Sequence, residues 1–206
     1  VREQILDRRG PNRGDRRRRA LLGALDELLR EGDLGSINVR EISRRAEVTR
    51  SAFYFYFDNK ATAVAALCDE MYQEAFTAGT MLASGQDSPE ERIGRTIAGL
   101  FEAWGKHRHV FRAMLEARDA DQTVRELWDR DRESFIPQVA ELIENERAAG
   151  RAPEGPDAAV LATVLLELND RALERISRGG YSAFSGEQLR EGLVTVWLRT
   201  IYGGPG

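Results

Sequence analysis

The run Phe53-Tyr54-Phe55-Tyr56-Phe57 constrains this chain more than any other stretch. It follows Thr49-Arg50-Ser51-Ala52 and precedes Asp58-Asn59-Lys60. Both flanks read as helix starts, so the five rings belong to one short helix. Only about half the circumference of such a helix can be buried, so the rings cannot all serve a core. At about 100° per residue, Phe53 and Phe57 share the inward face. Ser51, Ala52 and Phe55 lie roughly opposite, with Tyr54 and Tyr56 on the flanks. A plain aromatic core helix is the alternative reading, and it would leave the outward rings in water without a partner.

The preceding residues supply a setting. Asn38 is placed to cap a helix, with Glu41 three residues on as its capping-box partner. Val39, Ile42 and Ala46 recur at helical spacing. Glu47-Val48 interrupts that helix, and Thr49 is a second N-cap. Two short helices joined by a tight turn make a helix-turn-helix. Small residues in the first turn of the second helix let it approach base edges, and the flanking tyrosines can offer hydroxyls to phosphates.

Charge agrees with a polyanionic partner. The net charge of −4 hides an asymmetry: residues 1–60 carry 14 basic against 10 acidic side chains, the remainder 16 against 24. A basic head on an acidic body fits a protein that presents one end to nucleic acid. Residues 1–19 hold eight arginines against three acids, and Gly10-Pro11-Asn12-Arg13-Gly14 breaks any continuous helix there. Residues 1–14 read as a flexible basic arm, able to lie along phosphates or a minor groove or to serve as a solubilising tail. Of 30 Lys+Arg only Lys60 and Lys106 are lysines. A compact ammonium after the Asp58-Asn59 cap is suited to reach a phosphate as a point charge.

The stretch from Val48 to Lys60 closely resembles the DNA-binding signature of TetR-type regulators, and the resemblance extends over roughly residues 16–70. It implies a three-helix DNA-binding domain whose fourth helix leads into a ligand-sensing domain. It implies base-contacting or near-base roles for Arg50, Ser51 and Ala52, and phosphate contacts for Arg40, Tyr54, Tyr56 and Lys60. Asn38, Thr49 and Phe55 complete the candidate DNA face. Where that family usually has Gly in the turn this chain has Glu47. A non-Gly residue at positive φ costs ~1–2 kcal/mol.

The remaining chain reads as helix throughout, with no convincing alternation of period two. Leu21, Leu25, Leu28 and Leu29 face one side of a first helix ending near Gly32. Residues 61–82 form a connecting helix with Val64, Leu67, Met71 and Ala75 on one side, broken by Gly85 to Ser88. Ser88-Pro89-Glu90-Glu91 is a strong helix start. A long helix is expected from about Gln122 to Ala149, kinked at Pro137. Asp157 and Ser185 open the last two helices. The expectation is all-α with about nine helices: a helix-turn-helix domain over 15–60, then a ligand-binding and dimerisation domain over 61–206.

The last two helices are apolar on broad faces. Two-fold pairing into a four-helix bundle would bury Leu161, Val164, Leu165, Leu168, Val194, Leu198 and Ile201. It would also set two recognition helices about 34 Å apart, one turn of DNA.

Leu168 to Leu173 and Val196 to Gly203 resemble the final helices of the ethionamide-resistance-regulator branch of the same family, as do Glu126-Leu127-Trp128 and Asn145-Glu146-Arg147. That branch has a long, mostly aromatic ligand tunnel. Carried over by position, the resemblance implies a wall of Leu100, Trp104, Trp128, Phe135, Val139, Asn169, Leu173 and Trp197, with Asn169 as polar anchor. Met114, on the apolar stretch between, is a further candidate. Leu166, Arg132 and Glu174 stand where the branch tends to have other pocket residues. From the residues alone, Asn169 needs a hydrogen-bond partner if buried, which a ligand or the next helix could supply.

Catalytic chemistry is poorly represented. His107 and His109 diverge on a helix, and there is no phosphate-cradling glycine loop, no Cys-x-x-Cys and no nucleophile elbow. Cys68 is the only cysteine, no run approaches the ~20 apolar residues of a membrane span, and the N-terminus is charged rather than apolar, so a cytoplasmic protein without cofactor or metal is expected. The expectation is thus a homodimeric transcriptional regulator, a repressor of a pseudo-palindromic operator released by a small apolar or aromatic effector, although the sequence does not itself decide between repression and activation. The rival is a helical scaffold that docks a protein through the aromatic helix. DNA binding that falls steeply with salt separates them.

Overall fold

Leucines spaced three and four residues apart make the first helix amphipathic. In the computed structural model, which describes residues 13–68, 87–178 and 184–203, that helix is α1 (Arg13–Glu31), with Leu21, Leu25, Leu28 and Leu29 buried. Arg13 and Gly14 belong to it, so the helix begins within the expected arm; residues 1–12 lie outside the described residues. A 3-10 turn, Leu34–Ser36, leads to α2 (Val39–Arg45) and α3 (Arg50–Tyr56). Next is α4 (Lys60–Leu67), opened by a reciprocal capping box between Asn59 and Thr62. The expected continuation through Met71 and Ala75 and the break at Gly85 lie outside the described residues.

The body holds α5 (Pro89–Lys106), α6 (Arg108–Ala120), α7 (Gln122–Glu133), α8 (Ile136–Ala148), α9 (Ala158–Ser177) and α10 (Gly186–Tyr202). Ser88 and Glu91 form the expected capping box, and Ser185 with Gln188 forms another. No strand occurs among the described residues, which make ten α-helices. The count exceeds nine because the long helix expected from Gln122 to Ala149 is two. Pro137 has no N–H to give and its ring crowds the carbonyl one turn earlier. The chain therefore breaks at Ser134-Phe135, and Pro137 falls in the first turn of α8, where its missing donor costs nothing.

The buried residues form two clusters. One runs without interruption from α1, α2 and α3 through Val64 and Cys68 of the α4 region to Trp104, Phe111, Met114, Trp128 and Leu173. The other joins Ile93 and Ile97 of α5 to α8, Leu165 of α9, and Leu193, Trp197 and Ile201 of α10. Phe101 packs against both.

Beside the second cluster lies a buried ionic group. Glu146 is 1% exposed and accepts from Arg151 at 2.9 Å and from Arg92 at 3.1 Å; Arg92 also donates to the Tyr202 hydroxyl at 3.2 Å. Hydrogen bonding by Arg151, against the opposing effect of burial, holds the Glu146 carboxyl at about 2. Burial, with Glu146 nearby, pushes the Tyr202 phenol up to about 12. The group ties α5, α8, the following loop and α10 together. No helix among the described residues is long and apolar enough to cross a membrane.

Candidate nucleic-acid interface and the body behind it

The turn between α2 and α3 is set by backbone hydrogen bonds. Val48 N–H donates to Ser43 O at 3.0 Å and Glu47 N–H to Arg44 O at 3.2 Å, a Schellman closure of α2. Its left-handed position is Glu47, at φ 54°, the one described non-Gly residue with positive φ. Val48, just past it, packs on the first core. Thr49 then accepts from Ala52 N–H at 3.2 Å and starts α3. Asn38 caps α2 as expected, accepting from Glu41 N–H at 3.0 Å. The expected return bond from Glu41 is absent: its carboxylate takes Arg44 at 2.6 Å and 3.0 Å instead, because a guanidinium one turn away offers two charge-assisted bonds.

On α3 the aromatics divide as the 100° spacing requires. Phe53 and Phe57 are buried, whereas Tyr54 is 47% and Phe55 81% exposed. Ser51 and Arg50 are exposed and Ala52 half-buried. Tyr56 is half-buried and packs on the core, so less of it reaches outward than of Tyr54. Arg50 sits over the Tyr54 ring, 5.5 Å from its centroid, and donates to its hydroxyl at 3.2 Å. Phe55 meets Tyr56 edge-on, with centroids 5.0 Å apart.

Arg40 is exposed at the start of α2. Arg18 lies over the Phe57 ring at 5.6 Å, which brings the Arg16–Arg19 end of α1 beside α3. The sequence places Arg16 to Arg19 at the start of the first helix, as the structure does, but not their closeness to α3.

Lys60 is placed differently from expectation. Its ammonium donates to the carbonyls of Leu34 at 2.6 Å, Ile37 at 2.9 Å and Gly35 at 3.4 Å. In this structure its three N–H groups close the 3-10 turn rather than facing outward. The signal was the neighbouring turn, whose carbonyls need donors.

The head rests on α6. Asp26 Oδ1 lies 2.6 Å from His109 Nε2, Arg112 pairs with Asp33, and Glu116 accepts from Gly35 N–H at 3.3 Å. Burial raises the Asp26 carboxyl, but hydrogen bonds from His109 and Arg30 outweigh it and leave it below the usual range.

The expected effector residues divide between the two buried clusters. Trp104, Met114, Trp128 and Leu173 are in the first cluster, Val139 and Trp197 in the second, and Leu100 and Phe135 pack half-buried on the first. Asn169, buried, has a partner on the next helix: Trp197 Nε1–H donates to its Oδ1 at 3.1 Å. Phe111, which sequence reasoning left out of the candidate wall, bridges Trp104 and Trp128 at centroid distances of 5.5 Å and 5.7 Å. A cavity of about 450 Å³ opens between α7, α8 and α9, bounded among others by Trp128, Arg132, Ile136, Leu166 and Asp170. Trp128 is the one expected wall residue it includes, and Arg132 sits over that indole at 4.8 Å while pairing with Asp170.

The candidate dimer face needs a correction. Leu165 and Ile201 are 1% and 2% exposed and fill their own subunit's core. The exposed apolar residues are Val160, Val164 and Leu168 on α9 and Val196 on α10, with Leu161, Val194 and Leu198 half-buried. Residues 160, 164 and 168 fall on one stripe, and Leu165 lies about 100° away from Val164. Spacing by four could have found Val160. The broad apolar face of α9 combined two stripes with different partners.

Residues 21–67 match the family described as bacterial regulatory proteins, tetR family, and residues 93–203 match the C-terminal domain of the transcriptional regulator EthR. The chain is 34% identical over 199 residues to the HTH-type transcriptional regulator EthR of Mycobacterium tuberculosis, covering 92% of this chain and 89% of that one. It is 30% identical to EthR of Mycolicibacterium smegmatis, covering 92% and 88%. Among solved structures it is similar to a TetR-like transcriptional regulator from Rhodococcus sp. RHA1, with TM-score 0.65, 19% identity and coverage of 95% and 100%. Salmonella enterica GusR gives TM-score 0.68 at 14% identity, covering 92% and 97%.

Proposed function

Because the chain belongs to the TetR family of helix-turn-helix transcriptional regulators, with a C-terminal domain of the EthR type, we propose that it is a repressor binding a pseudo-palindromic operator as a homodimer. The observation that carries the reading is the outward face of α3. Ser51 and Phe55 stand at its centre, with Arg50 held against Tyr54 beside them and a basic α1 terminus next to it. Arg40, Arg50 and Tyr54 take phosphates or base edges, with Asn38, Thr49 and Tyr56 fixing the helices that present them. The exposed stripe Val160, Val164, Leu168, with Val196, pairs with its symmetry mate.

A small, largely apolar effector binds between α5, α7, α9 and α10 near Trp104, Trp128, Asn169 and Trp197. It releases the operator by favouring a dimer with a different spacing of recognition helices. Switching the two states from 1:99 to 99:1 requires ~5.5 kcal/mol of differential affinity. The protein carries out no reaction of its own.

Selection on random duplex DNA, followed by salt titration of the winning sequence, tests this. Expected are two inverted half-sites one helical turn apart, and affinity falling with salt by a log–log slope of about −0.9 per phosphate neutralised. Sequence-blind binding by the folded protein would turn the reading toward the protein-docking scaffold.

A further inference from the structure

We infer that Phe55 is a specificity residue that reads the 5-methyl group of a thymine in each half-site. The inference rests on the DNA-binding reading and deepens it. Phe55 is the most exposed large apolar side chain among the described residues, at 81%, on a helix whose inward face is already complete with Phe53. It lies one turn beyond Ser51 on the same outward line. Ser51 is small enough to let the first turn approach the bases, which brings the ring of Phe55 to groove depth.

The ring is also positioned. Tyr56, itself packed on the core, meets it at 87° between planes, edge against face. On the other flank Tyr54 is engaged with Arg50.

A phenyl ring can neither donate nor accept the hydrogen bonds that distinguish most base edges. In the major groove the one apolar feature is the thymine methyl, which separates T·A from the other pairs. The polar neighbours Arg50, Ser51 and Tyr54 can meet phosphates and hydrogen-bonding edges, leaving the methyl to Phe55. Desolvating the ring against that methyl also removes an apolar surface otherwise left in water.

The test begins with the operator obtained by selection, in which each thymine is replaced in turn, symmetrically in both half-sites, by deoxyuridine. That change deletes the methyl and leaves every hydrogen-bonding group. Wild-type protein, Phe55→Leu and Phe55→Ala are titrated against each duplex, with melting curves confirming that the exposed substitutions leave the fold intact. Expected is a roughly 10-fold loss for the wild type at one thymine per half-site, the size of one methyl-scale apolar contact made twice. Phe55→Leu keeps part of that discrimination. Phe55→Ala binds more weakly and no longer distinguishes thymine from uracil at that position. A flat uracil scan, or an equal loss in wild type and Phe55→Ala, overturns the inference while leaving the DNA-binding reading in place. A folded protein that selects no sequence overturns both.

Discussion

Asn59 and Asp121 each cap a helix and are hydrogen-bonded to one another. Asn59 Oδ1 accepts from Thr62 N–H at 3.0 Å at the start of α4, and its Nδ2 donates to Asp121 Oδ2 at 2.9 Å. Asp121 Oδ1 in turn accepts from Val124 N–H at 3.1 Å at the start of α7. The Val124 N–H, and after it the Asn59 amide, hold the Asp121 carboxyl below its usual range. The first turn of the helix after the recognition helix is thereby fastened to the first turn of the helix carrying Trp128. Asp121→Ala removes a cap and this link, and is expected to cost about 1–2 kcal/mol. Adding Asn59→Ala to it should cost less than Asn59→Ala alone. Urea unfolding of the four proteins in the cycle checks this, and full additivity would show that the two caps act separately.

Glu47 gives the opposite sign. Its φ of 54° suits glycine. Glu47→Gly is expected to raise stability by about 1 kcal/mol, since the left-handed strain exceeds the extra entropy glycine brings to the unfolded chain. A lowered denaturation midpoint would contradict it.

The Arg92–Glu146–Arg151 group should dominate acid sensitivity. With its carboxyl held at about 2 in the folded protein against an ordinary 4.5, Glu146 binds its proton less readily folded than unfolded. Its contribution is therefore complete above about pH 4.5 and is lost as pH falls toward 2. Glu146→Gln should cost about 3–5 kcal/mol near neutrality, because two arginines lose a buried counter-charge. It should also flatten the urea midpoint across that acid window. A variant as acid-sensitive as the wild type would assign the effect to other carboxyls.

Asn169→Leu leaves the Trp197 indole N–H buried without its acceptor, at a cost of about 1–3 kcal/mol. Adding Trp197→Phe removes the stranded donor and should recover part of the loss. Both changes are expected to alter the response to effector with operator binding retained. An effector that acts equally on wild type and double variant would move its site away from this pair.

Tyr54→Ala should weaken operator binding about 10-fold with an unchanged melting temperature. The ring is 47% exposed and its hydroxyl is spent on aiming Arg50 rather than on the core. Unchanged affinity in a mobility-shift titration would remove Tyr54 and its arginine from the interface.

The head was legible because its signals are local. Two caps, the odd residue in the turn and the alternation of rings on α3 all follow from neighbours within four positions. Lys60 was not, since the carbonyls it serves lie more than twenty residues earlier in the chain. On α9 periodicity marked apolar positions correctly but could not divide Val164 from Leu165, because whether a stripe faces its own core or the outside depends on where α8 and α10 lie. The break before Pro137 was visible as a proline, yet sequence alone did not separate a kink from two helices, since either relieves the clash of its ring with the preceding turn. Asn169 presented two partners to sequence reasoning, and the helix that arrives opposite it chose one.

The first buried cluster has a consequence for chimeric proteins. Its side chains pass from Leu25 and Phe53 to Val64, Phe111 and Trp128 as one cluster. Residue 60 marks no boundary in packing. A head transplanted at that point onto another regulator's body would expose half of an apolar core and face a surface shaped for different side chains. A portable unit has to carry the faces of α4, α6 and α7 along with the reading helix. The helix-turn-helix of this protein is thus inherited together with the inner surface of the body behind it.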